Sequence, residues 1–175
     1  MEKTIDSHIA FAGRALTLEV LSIDMGEGRK SVREIIRHPG AVVVLAQRPD
    51  DSFIFVRQYR KAIECLLLET VAGTLEPDED PAACAARELQ EESGYIAECL
   101  TALGTIVPAP GYSSEKLFLF HARTGMRPGA ICPDEDERIA VVHMTRQEVD
   151  AAIDRGELYD AKTLAAWLLF TRHPA

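Results

Sequence analysis

The stretch from Gly73 to Tyr95, GTLEPDEDPAACAARELQEESGY, constrains this chain more than any other part of it. Asp80 offers a side-chain acceptor for the unpaired N–H groups of a first helical turn, and Pro81 carries the φ that a first helical residue needs. Gly94 can take the left-handed exit. A helix is therefore expected between them. At about 100° per residue, Leu89, Ala82, Ala85 and Ala86 share one side, where the small alanines permit close packing, while Glu88, Glu91 and Glu92 share a neighbouring one. From Glu76 to Glu98 there are eight carboxylates against one arginine, Arg87. Glutamates three and four residues apart repel, and near a helix C-terminus the macrodipole adds to the penalty. Two explanations are open. The face is a solvated acidic run, or it binds cations, for which hard carboxylate oxygens suit Mg²⁺ or Mn²⁺.

Around this helix the pattern is mostly β-like. ALTLEVLSIDM alternates imperfectly, GEGRK supplies a turn and KSVREIIRH follows, so the region from Ile9 to Arg37 reads as a hairpin. Pro39-Gly40 breaks the chain, and AVVVLAQ, FIFVRQYR and CLLLET read as apolar strands. Further strands are expected around TALGTIV, KLFLFHA and RIAVVHM, separated by PAPGYSSE and the longer loop TGMRPGAICPDEDE. Thr145 with Glu148 forms a capping box for a helix through Ile153, and Asp160 caps a last helix, AKTLAAWLLF, whose Trp167 is expected to pack on the sheet. Strands and helices mixed without regular alternation indicate an α+β fold. An N-terminal β segment over 1–40 precedes a main domain over 41–175.

Composition narrows the function classes. A net charge of -9 argues against a nucleic-acid binder, which needs a basic footprint. It leaves a nucleotide substrate open, because divalent cations can mediate between acidic groups. No run is apolar enough for a membrane span or signal peptide, so no membrane partner is expected. Cys65, Cys84, Cys99 and Cys132 form no CxxC pair, and a reducing cytoplasm is the expected setting. Cys65, Cys84 and Cys99 are expected as small buried apolar residues. His38, His121 and His143 show no metal-site spacing and are expected to be structural.

The spacing G-x5-E-x7-R-E-U-x-E-E-x-G-U, with U a bulky apolar residue, is met by Gly73, Glu79, Arg87, Glu88, Leu89, Glu91, Glu92 and Gly94, with Tyr95 a mild departure at the end. This resembles the signature of the Nudix hydrolases. The resemblance implies an α/β/α sandwich with a mixed sheet, and hydrolysis of a nucleoside diphosphate linked to another moiety. It implies Glu88, Glu91 and Glu92 as metal ligands, with the Ala72 carbonyl adding an oxygen. Arg87 would orient the glutamates and Glu79 would brace the loop.

Outside that box, Pro110 lies sixteen residues beyond Gly94. With VRQYR, LLLETVAG, an acidic loop and GELYDAKTL, it resembles the ADP-ribose pyrophosphatase branch of the family. That likeness implies cleavage of ADP-ribose to AMP and ribose 5-phosphate, with GDP-mannose as the rival substrate and a non-catalytic nucleotide sensor as a third possibility. By the same likeness Glu135 is the general base and Glu137 a supporting acid near the metals, with Glu115 the rival base. Arg33 and Glu34 are adenine-side contacts, Pro110 and Gly111 belong to a substrate loop, and Arg60 is the phosphate contact. Arg57, three residues earlier, falls on the opposite face of the same strand. Gly13-Arg14 departs from relatives that place an aromatic residue there. The branch commonly exchanges its N-terminal strands between two subunits, so a homodimer is expected.

Overall fold

The computed structural model describes residues 1–13, 16–129 and 139–172. They form two compact units, Met1–Gly40 with Val107–Lys116, and Ala41–Ile106 with Leu117–Ala175. The expected catalytic acids Glu135 and Glu137, together with Arg14 and Cys132, lie outside the described residues.

The first unit is a three-stranded antiparallel sheet of β1 (Lys3–Ala12), β2 (Thr17–Gly26) and β3 (Arg29–Arg37), in that order. The hairpin expected from Ile9 onward is β2–β3, and β1 adds a third strand that starts earlier, at Lys3. Gly26 and Gly28 take positive φ in the connecting turn, as does Glu27 between them. Ile5, Ile9 and Phe11 on β1 are each more than half exposed. The segment carrying Pro110 joins this unit. The Ile36 N–H donates to the Tyr112 carbonyl (2.8 Å), the Ser114 N–H to the Ile36 carbonyl (2.9 Å), and the His38 N–H to Ser114 Oγ (3.0 Å).

The second unit is built on a mixed seven-stranded sheet. Its main path runs β10 (Ile139–Met144), β5 (Phe53–Arg60), β4 (Ala41–Gln47), β9 (Leu117–Thr124), β8 (Ala97–Ile106), with β6 (Cys65–Glu69) paired to β5 and β7 (Val71–Thr74) paired to β4. β4 and β9 run parallel, and the other pairings are antiparallel. Three helices complete it: α1 (Pro81–Ser93), α2 (Arg146–Asp154) and α3 (Ala161–Arg172).

AVVVLAQ is apolar throughout because both faces of β4 are covered. Ala41, Val43 and Leu45 enter a cluster with Val149, Ala152 and Trp167 of α2 and α3. Val42, Val44 and Ala46 enter another with Cys84, Ala85 and Leu89 of α1. Alternate residues of one strand thus serve two cores, which makes the unit the α/β/α sandwich expected. Trp167 is 5% exposed, stands edge-on to Phe53 with ring centroids 4.9 Å apart, and donates its indole N–H to Asp150 Oδ1 (2.8 Å). Trp167→Ala empties this space, and chemical denaturation is expected to show a loss of about 4 kcal/mol.

The cysteine expectation needs correction at two positions. Cys84 is buried, but Cys65 is intermediate and Cys99 is exposed. Cys99 sits on β8, at one end of the strand order, where one side chain in two turns outward, and its register partner Arg123 is exposed too. No helix among the described residues is long and apolar enough to cross a membrane.

His121 on β9 is 6% exposed and lies 3.1 Å from Gln47 Oε1 through Nε2. Burial, reinforced by the charge of Arg123, pushes its pKa below 6.5. The unfolded chain therefore binds this proton more readily than the fold does. The stabilisation is present above 6.5 and is lost as pH falls through the lower folded value. The urea midpoint is expected to drop between pH 7.5 and 5.5, and His121→Gln, which takes up no proton there, to flatten that drop.

Candidate active site

Helix α1 forms as its termini dictate. Asp80 Oδ1 accepts the N–H groups of Ala82 (2.9 Å) and Ala83 (3.1 Å), and Gly94 closes the helix at φ 75°, its N–H donating to the Gln90 carbonyl (2.8 Å). Cys84, Ala85 and Leu89 are fully buried against the sheet. That docking turns the glutamate face toward β7 and away from bulk water. Glu92 is only 4% exposed, the Glu88 side chain 14% and the Glu91 side chain 41%. A solvated acidic run would show none of this burial.

Gly73 on β7 is the counterpart of Glu88. A Cβ added to Gly73 would land on the Glu88 carboxylate, meeting its carbon and both oxygens. The glycine is needed here because a carboxylate occupies the space a side chain would fill. Ala72, whose carbonyl is the expected backbone donor, precedes it on the same short strand and pairs with Val43.

Arg87 organises the acids. Its Nε and Nη2 donate to the two oxygens of Glu79 at 2.9 and 3.0 Å, a bidentate pair, while Nη1 donates to Glu88 Oε1 and Glu91 Oε2, each at 2.9 Å. The Arg87 guanidinium, with help from the Glu76 N–H, pulls the Glu79 carboxyl down to about 2. Glu79 in turn raises the Arg87 pKa further above its ordinary value. Burial, assisted by Glu79, pushes the Cys84 thiol up to about 12, so it stays a neutral packing group beside Arg87 Nη2. The loop acid, the arginine and two of the helix glutamates are thus one charge-assisted network.

The expected donor set of Glu88, Glu91, Glu92 and the Ala72 carbonyl is entirely oxygen, and Gly73 leaves room for a carboxylate against the strand. That chemistry fits a hard divalent cation. Among the described residues no three His, Cys, Asp or Glu side chains converge into a ready-made metal cluster. Arg87 Nη1 holds the nearest oxygens of Glu88 and Glu91.

The two arginines of β5 go to different places. Arg57 is exposed, pairs across the sheet with Leu68 and lines, with Leu66, Leu68 and Glu157, a cavity of about 290 Å³. Leu68 belongs to the cluster under α2 and α3, so Arg57 stands on the sheet face opposite α1. Arg60 instead forms a bidentate pair with Glu69, Nε to Oε1 at 2.7 Å and Nη2 to Oε2 at 3.0 Å. Glu69 also contacts Lys162 of α3. Glu69 has no role assigned from the sequence, although a glutamate ending an apolar run is a signal that a cation must meet it.

In the first unit, Arg33 donates through Nη2 to Glu2 Oε1 (2.5 Å) and through Nη1 to Ser31 Oγ (3.1 Å), and Glu34 beside it is exposed. Pro110 and Gly111 are exposed in a turn whose Ala109 carbonyl accepts the N–H groups of Tyr112 (3.2 Å) and Ser113 (2.9 Å). Glu115 is half-buried, its N–H donating to Ser113 Oγ (3.1 Å) and its Oε1 3.9 Å from His38 Nε2.

Residues 36–167 match the NUDIX domain. The chain belongs to the Nudix family. This Nudix protein is 39% identical to the methanol dehydrogenase activator of Bacillus methanolicus and 38% identical to the ADP-ribose pyrophosphatase of Bacillus subtilis (strain 168). Each alignment covers 94% of this chain and 90% of the relative. It is 31% identical to the GDP-mannose pyrophosphatase of Yersinia enterocolitica serotype O:8, across 81% of this chain and 78% of the relative. Among solved structures it resembles an ADP compounds hydrolase, with a TM-score of 0.84, 25% identity, and coverage of 98% of this chain and 92% of that one.

Proposed function

We propose that this Nudix pyrophosphatase hydrolyses the diphosphate of ADP-ribose to AMP and ribose 5-phosphate, using Mg²⁺ or Mn²⁺. The observation that carries the reading is the Glu88 carboxylate seated over Gly73, beside Glu91 and Glu92, on a helix face the fold partly buries. The choice of substrate is supported by the longer and closer likeness to the Bacillus subtilis ADP-ribose pyrophosphatase than to the GDP-mannose enzyme.

Glu88, Glu91, Glu92 and the Ala72 carbonyl would hold the cations. When bound, these neutralise the diphosphate and make water more acidic. Arg87, held by Glu79, keeps the glutamates in place. Arg60 grips a phosphate oxygen, and Arg33 and Glu34 serve the adenine side, with Pro110 and Gly111 in the substrate loop. Arg57 stands on the face away from α1, apart from these contacts. Glu135 or Glu115 takes the proton of the attacking water, with Glu137 in support. The water oxygen bonds to one phosphorus as its bond to the bridging oxygen breaks, so each product leaves as a monophosphate.

The exposed Ile5, Ile9 and Phe11 of β1 support a homodimer built through the N-terminal strands, and the reaction is assigned to the cytoplasm. Chromatography of a completed reaction in Mg²⁺ is expected to show AMP and ribose 5-phosphate in equal amounts. Release of ADP and free ribose would place the cleavage at a different bond and overturn the reading.

A further inference from the structure

We propose that Glu69 and Lys162 are positioning residues that set the Arg60 guanidinium for the substrate's diphosphate; this rests on the reading of Arg60 given above. Glu69 is fully buried at the end of β6. Burying a carboxylate costs several kcal/mol unless opposite charge meets it in good geometry. Here two cations do so. Arg60 presents its Nε and Nη2 edge to both oxygens, and Lys162 Nζ also contacts Oε2.

Exposure rises through the group, from 0% for the Glu69 side chain to 16% for Lys162 and 38% for Arg60. Arg60 is thus the member that reaches solvent, and its planar fork is fixed by the buried acid behind it. A guanidinium held this way loses little further freedom on gripping phosphate.

Lys162 is itself fixed. It lies in the first turn of α3 and pairs with Asp160 Oδ2 (2.9 Å), which also accepts the Thr163 N–H (3.1 Å) and hydroxyl (2.6 Å). Thr163 Oγ1 then accepts the Thr70 N–H (2.9 Å). One helix turn therefore grips both Glu69 and Thr70, with only Val71 between them and Ala72-Gly73 in the chain. Its charge matters as much as its grip. With Lys162 present, the charges of Arg60 and Lys162 balance those of Glu69 and Asp160; without it the group carries a net negative charge, which opposes an incoming phosphate at Arg60.

A double-mutant cycle separates this from a purely structural staple. Lys162→Met, Arg60→Ala and the double variant are compared by KM and kcat for ADP-ribose, by the Kd for ADP from calorimetry, and by melting temperature. One charge-assisted hydrogen bond corresponds to about tenfold in binding. Lys162→Met is expected to raise KM and the ADP Kd about tenfold, with kcat changed less, and Lys162→Arg to restore both. In the Arg60→Ala background Lys162→Met is expected to add nothing to KM or to the ADP Kd, while the melting temperature falls further because Glu69 is left buried without either cation.

An equal effect in both backgrounds, or an unchanged ADP Kd in Lys162→Met, overturns the proposal. So does an Arg60→Ala variant that binds ADP normally. Failure of the unsubstituted protein to turn over ADP-ribose would sink the substrate reading alone, because the ADP-binding cycle still decides the role of Lys162.

Discussion

Glu92→Gln is expected to lower kcat about a thousandfold, the size of losing a metal-ligand contribution of several kcal/mol to the transition state. The substitution keeps the volume of a side chain that is 4% exposed, so it opens no cavity. It removes one of two like charges four residues apart, Glu88 and Glu92, near the end of a helix whose last turn carries no basic residue. Repulsion across that pair and with the helix dipole is relieved. The melting temperature of the metal-free protein should hold or rise while activity collapses. Opposite movements of the two readouts are what a site kept for chemistry at the expense of stability produces. If Glu92 were only a core or surface acid, kcat would survive, and near-normal turnover in this variant contradicts the metal-ligand role.

Gly73→Ala should behave similarly for a different reason. The added methyl collides with the far end of the Glu88 side chain, which can rotate away, so the strand pairing of β7 with β4 should persist. What cannot persist is the position of the carboxylate. Glu88 also takes a hydrogen bond from Arg87 Nη1, the atom that serves Glu91, so displacing one acid disturbs both. A kcat about a hundredfold lower is expected, in the range seen when the support of a metal ligand is removed. Circular dichroism and the urea midpoint should change little. A large loss of stability with preserved specific activity in the folded fraction would mean the close approach serves packing only.

The helix and the family signature it carries were readable because their signals are local. Asp80, Pro81 and Gly94 cap a single turn each, and the glutamate spacing is a property of one helix. β4 was readable as a strand because both its faces are covered, which leaves an unbroken apolar run. β1 was partly missed because all ten of its residues are exposed, so no buried face imposes alternation on KTIDSHIAFA. β7 was missed as a separate strand because four residues, one of them the glycine under Glu88, carry too little pattern.

The setting of Arg60 was invisible for a topological reason. Its buried acid is nine residues away, and the lysine that shares that acid lies 93 residues further on from Glu69, where only the folded sheet and α3 bring them together. The same applies to the contact of His143 Nε2 with Tyr95 Oη at 3.0 Å, which joins the last position of the box to β10. Cap and motif chemistry travels with the sequence; ion pairs across the sheet do not.

The most direct test of the central claim is the comparison of kcat/KM for ADP-ribose and GDP-mannose, each with Mg²⁺ and with EDTA. Turnover of ADP-ribose is expected well above that of GDP-mannose, abolished by EDTA and restored by added Mg²⁺. Preference for GDP-mannose would contradict the substrate assignment, and absence of turnover with either Mg²⁺ or Mn²⁺ would contradict the enzymatic role of the Glu88, Glu91 and Glu92 face.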